Sequence, residues 1–77
     1  MSTQNILLKN QNDIVNFVNR IEKYPFQADL QCGSHVVDAK SLLGVLGFGM
    51  GKVMTLHVYG DEDISSLPGI AEYVVTK

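Results

Sequence analysis

Val37-Asp38-Ala39-Lys40-Ser41-Leu42-Leu43-Gly44-Val45-Leu46 is the stretch on which the reading of this chain turns. It passes from β-branched residues through a short polar segment into a leucine-rich run. Leu42, Leu43, Val45 and Leu46 cluster as the apolar side of a short amphipathic helix, and Gly47, Gly49 and Gly51 end it. Two starts fit the pattern. Asp38 caps the helix and Ser41 lies in its first turn, or Ser41 is itself the cap. Under both, Ser41 sits at the positive end of the helix, beside backbone N–H groups that have no partner within it.

Downstream, Val53 to Tyr59 alternates Met54, Leu56 and Val58 with Thr55, His57 and Tyr59, the pattern of a strand buried on one face. Upstream, Ala28, Leu30 and Cys32 alternate with Asp29 and Gln31. Gly33-Ser34 is a turn signal and His35-Val36-Val37 returns, so residues 27 to 37 read as a hairpin. Ile14, Phe17, Val18 and Ile21 fall at i, i+3, i+4 and i+7, the stripe of a helix with one buried face. Asn12 or Asp13 is expected to cap it, and Pro25 should stop it near Lys23. Ile6-Leu7-Leu8 is read as a first strand. Beyond the acidic turn Gly60 to Asp63, the residues Ile64, Leu67, Ile70 and Val74 suggest a last helix, with Pro68 suited to its first turn. The order is strand, helix, strand, strand, helix, strand, helix. Such alternation predicts a single α+β domain over 1–77, with helices on one face of a mostly antiparallel sheet.

Bulk properties narrow the function. In 77 residues with 45% hydrophobic content, one core is feasible without a disulfide network. A net charge of −2, with no basic run, withholds the phosphate attraction that nucleic-acid binding needs. Cys32 is the only cysteine, so no internal bridge exists and a reducing cytoplasm is the expected setting. No apolar run approaches the roughly 18 residues of a membrane span, and no signal segment is recognisable.

Few residues suggest chemistry. His35 and His57, each in a strand, lack neighbours at metal-ligand spacing, so no metal or other cofactor is expected. Cys32 continues an apolar alternation and reads as a small buried side chain. Gly47-Phe48-Gly49-Met50-Gly51-Lys52 fails the phosphate-loop pattern, since Leu46 occupies the first glycine position and Val53 follows the lysine. Asp61, Glu62 and Asp63 read as a solvated turn.

From Val36 to Gly60 the serine helix and its following strand closely resemble the regulatory-serine region of HPr, the phosphocarrier of the bacterial sugar phosphotransferase system. Over Ile6 to Cys32 the resemblance is one of pattern. It implies the HPr-like open-faced β-sandwich, β-α-β-β-α-β-α, with a four-stranded sheet. It also implies that Ser41 is phosphorylated by a dedicated serine kinase/phosphorylase, and that Leu42, Leu43 and Leu46 form a docking patch for protein partners, a transcriptional regulator among them. Roughly −1.5 to −2 charges placed at a helix N-terminus are tolerated there.

The first helix departs from that family. HPr carries phosphate on a histidine within a Gly-x-His-x-x-Pro segment. Here the matching stretch runs Leu8-Lys9-Asn10-Gln11-Asn12-Asp13, and Asn10, Gln11 and Asn12 make a degenerate phosphocarrier loop without histidine, arginine or proline. An amide nitrogen is not a nucleophile at neutral pH. The expectation is therefore a non-catalytic, cytoplasmic HPr-like regulatory protein, monomeric or homodimeric, that keeps Ser41 and has lost the relay. The alternatives are a phosphocarrier using another residue, such as His35 or His57, and a purely structural or oligomerising domain in which Ser41 is only a cap.

Overall fold

The computed structural model describes residues 2–75. Its elements are β1 (Ser2–Leu7), α1 (Gln11–Ile21), β2 (Gln27–Cys32), β3 (His35–Asp38), α2 (Leu42–Phe48) and β4 (Val53–Tyr59), followed by two single 3₁₀ turns at Ile64–Ser66 and Ala71–Tyr73. The four strands form one antiparallel sheet in the order β1-β4-β2-β3. β1 and β2 therefore run one way, β3 and β4 the other. α1 and α2 each carry the chain back between two parallel-pointing ends, so the two helices are antiparallel.

Alternation decides the faces. Met54, Leu56 and Val58 of β4 are buried, as are Ala28 and Leu30 of β2 and Ile6 of β1. Ile14, Phe17, Val18 and Ile21 of α1 and Val45 of α2 pack onto them in one cluster. Each fully buried aliphatic side chain contributes about 1.5–3 kcal/mol relative to exposure, so this layer is the main source of stability. The opposite sheet face is open. Along it Tyr59 donates its hydroxyl to Asp29 Oδ2 at 2.8 Å, His57 Nε2 meets Gln31 Oε1 at 2.8 Å, and Thr55 Oγ1 donates to Asn5 Oδ1 at 3.3 Å.

The expected four-stranded α+β architecture is present, with three corrections to its detail. The cap of α1 is Asn10, neither Asn12 nor Asp13: its Oδ1 accepts the Asp13 N–H at 2.8 Å, while Asp13 Oδ2 accepts the Lys9 N–H at 3.0 Å. This reciprocal pair satisfies two donors at the helix entrance, close to a capping box. β1 begins at Ser2, well before the apolar run, and ends at Leu7; Leu8 is a buried residue of the following loop.

The last helix is absent. Ile64, Leu67 and Ile70 are spaced by three, which suits a 3₁₀ turn of three residues rather than an α-helical stripe. Pro68 lacks an N–H, and Gly69 at φ +82° turns the chain out of any helix. Pinning comes instead from tertiary bonds. Arg20 Nη1 donates to Gly69 O at 3.1 Å, to Glu72 Oε1 at 2.6 Å and to Tyr73 Oη at 3.1 Å. Tyr24 donates its hydroxyl to Pro68 O at 2.6 Å, and the Val75 N–H extends the β1 edge by bonding Asn5 O at 2.9 Å.

Candidate functional site

Ser41 is the N-cap of α2. Its backbone is extended (φ −98°, ψ 107°), its carbonyl accepts the Val45 N–H at 3.0 Å, and its Oγ accepts the Gly44 N–H at 3.3 Å. Asp38 does not cap the helix. Its carboxylate accepts the Lys40 N–H at 2.9 Å and its carbonyl the Ser41 N–H at 3.0 Å, which folds the tight turn that delivers Ser41. Of the two starts open to the sequence, the structure has the second.

Gly44 explains how closely this helix lies on the sheet. A Cβ at that position would stand 3.2 Å from Val37 Cβ and 3.4 Å from Ser41 Oγ. The absent side chain leaves room for both the strand and the serine. Ser41 itself is exposed, and its hydroxyl is reachable from solvent.

The leucines divide. Leu43 is 84% exposed and Leu42 38%, whereas Leu46 is half-buried against the core and Val45 is fully buried. Thus Leu42 and Leu43 form an outward apolar step directly after Ser41, while Leu46 is turned partly toward the core. Met50, 49% exposed, adds a further apolar side chain beyond the helix end.

Asn10 is occupied as the cap of α1, and Gln11 and Asn12 are exposed in its first turn. A bond from the Gly51 N–H to Leu8 O at 2.7 Å ties this loop to the α2–β4 connection. Because the two helices are antiparallel, the Asn10 loop and Ser41 lie at opposite ends of the pair. His57 lies on the open sheet face with Gln31, and His35 is exposed at the start of β3. Neither belongs to the Asn10 loop. Cys32 is half-buried against the core. Among the described residues no three His, Cys, Asp or Glu side chains converge in a way that could hold a metal ion.

Two tyrosines titrate upward. The hydrogen bond to Asp29 raises the Tyr59 phenol above 10.0, with smaller contributions from burial and the Asp29 charge. Burial raises that of Tyr73, against a partial opposing pull from Arg20. Sequence reasoning passed over Lys40, whose ammonium donates to Tyr24 O at 2.6 Å and lies 5.7 Å from the centre of the Phe26 ring. Such ties span distant residues and leave no periodic trace.

No described helix is long and apolar enough to cross a membrane. No family model matches the chain, and no curated protein matches it significantly. Solved structures do. A crystal structure of HPr-C-His from Thermoanaerobacter tengcongensis superposes with a TM-score of 0.75 at 24% identity, covering 94% of this chain and 89% of that one. The likeness establishes an HPr-like fold.

Proposed function

We propose that this chain is a non-catalytic, HPr-like regulatory protein of the cytoplasm, whose α2 surface meets protein partners and whose Ser41 is the phosphorylation switch. The observation that carries the reading is the placement of an exposed serine hydroxyl immediately before an exposed apolar step, Leu42 and Leu43. Apolar contact supplies affinity, and a phosphate beside it gates the contact. Because Ser41 is a cap and not a core residue, phosphate there meets the positive end of α2 and leaves the packing beneath untouched. The absence of histidine from Lys9 to Asp13 supports a role without phosphoryl relay.

A partner that phosphorylates Ser41 while docked on the leucine step should depend on Leu43. A Leu43→Ser chain, incubated with the HPr family's serine kinase and ATP, is expected to be modified several-fold more slowly than wild type while remaining fully folded. Equal rates would overturn the docking role of α2.

A further inference from the structure

Lys40 immediately precedes the exposed Ser41, yet its ammonium is held by a different segment of the chain. Its Nζ donates to Tyr24 O at 2.6 Å and stands 5.7 Å from the centre of the Phe26 ring. Both partners are neutral, and among the described residues the ion pair within 4.0 Å is Arg20–Glu72. A half-buried cation satisfied in this way is open to capture by a nearby anion, because a hydrogen bond between two charged groups is the stronger.

Tyr24 passes the tie on. Between Ile21 and Gln27 the chain has no ladder partner, so this turn keeps its shape through side chains and short-range bonds. The Tyr24 ring stacks on Phe26 at 5.2 Å and 13°, and its hydroxyl donates to Pro68 O at 2.6 Å. Pro68 opens the stretch that runs through Gly69 and Tyr73 to Val74 and Val75. There an isolated bridge to Ile6 and the Val75 N–H bond to Asn5 O cover the outer edge of β1. One residue thus joins segments distant in sequence: the Tyr24 carbonyl takes the turn that delivers Ser41, and its hydroxyl takes the terminal segment. Arg20 holds that segment separately at Gly69, Glu72 and Tyr73, so losing the Tyr24 anchor loosens the segment without freeing it.

We propose that Lys40 and Tyr24 form a latch between the Ser41 turn and the terminal segment, released when a phosphate on Ser41 claims the Lys40 ammonium. Without Lys40 the turn 22–26 loses a clamp on its backbone, the Tyr24 ring loses its fixed orientation, and Pro68 O loses a donor. Residues Gly69 to Val75 then open more often over the edge of β1. The layer beneath α2 takes no part. The trigger rests on the Ser41 reading; the latch itself does not.

The test is hydrogen exchange on the full chain. Lys40→Met keeps the aliphatic stem over the Phe26 ring and removes the donor. It should quicken exchange at Tyr73 and Val75 about two- to ten-fold, the span of one hydrogen bond of ordinary net strength, and leave Leu30 and Leu56 unchanged. Lys40→Arg keeps a donor and should stay close to wild type. Tyr24→Phe should act on the same amides, and the double variant with Lys40→Met should add little to the larger single effect. Effects of Lys40→Met confined to 24–26 and 38–41, additive effects in the double variant, or a uniform rise across the sheet would overturn the latch. Phosphoserine placed at 41 by chemical synthesis should quicken the same amides and add nothing in the Lys40→Met background. Exchange at Tyr73 and Val75 unmoved by that phosphate would overturn the trigger. Because no kinase is used, a kinase that ignores Ser41 would sink the switch reading and leave this result intact.

Discussion

Ser41 Oγ accepts the Gly44 N–H at 3.3 Å, so the residue read as a switch is already the cap of α2. The two roles have different energetic consequences. Ser41→Ala removes the acceptor and should cost about 1 kcal/mol of stability, while Ser41→Asp, an equally good cap, should stay close to wild type. Urea unfolding followed by circular dichroism measures both. A Ser41→Asp chain destabilised as much as Ser41→Ala would show that a negative charge is not accommodated at this helix end.

Arg20 fastens the segment after Pro68 to α1 through three acceptors. With 38% of its side chain exposed and Glu72 at 59%, the ion pair itself adds little, about 0–1 kcal/mol. The bond to a backbone carbonyl and the contact with Tyr73 matter more. Arg20→Ala should therefore quicken hydrogen exchange at Tyr73, Val74 and Val75 selectively, while the amides of β2 and β4 stay protected. Glu72→Gln should do so far less. Uniform acceleration across the sheet would mean that the terminal segment is not a separate unit.

Alkaline pH loosens the fold in a defined direction. Tyr59 and Tyr73 have phenols raised above 10.0 in the folded chain, so the folded state holds those protons more tightly than the unfolded one. Their contribution is complete below pH 10 and is lost as pH climbs through the raised values. Ultraviolet titration of the phenolates should show Asp29→Asn moving the Tyr59 transition down and leaving that of Tyr73 in place. A Tyr59 transition indifferent to Asp29 would contradict the bond across the open sheet face.

The histidines offer a sharp negative. His57 lies on the sheet face opposite the helices and His35 at the β3 edge, neither in the loop that enters α1. Incubation with phosphoenolpyruvate and the first enzyme of the phosphotransferase system should leave no acid-labile phosphate on this chain. Incorporation lost in His35→Ala or His57→Ala would establish a relay by another route.

What the sequence disclosed follows from period and polarity. Ile14, Phe17, Val18 and Ile21 carry a long enough stripe to fix α1, and strict alternation marked β4. The α1 cap escaped because Asn10, Asn12 and Asp13 are all competent acceptors lying within one turn of each other. The last helix misled because apolar residues three apart imitate a stripe over a short span. Ser41 and the exposed leucines were legible as a local motif. The Asp29–Asp38 pair was not, because strand register, which no single segment reveals, brings it together.

The most direct measurement for the central claim is intact mass and site mapping of the wild-type chain after incubation with the HPr family's serine kinase and ATP, beside authentic HPr. The account predicts one added phosphate, located on Ser41 and absent from Ser41→Ala. A chain that stays unmodified while HPr is phosphorylated, or one that carries the phosphate elsewhere, would contradict it.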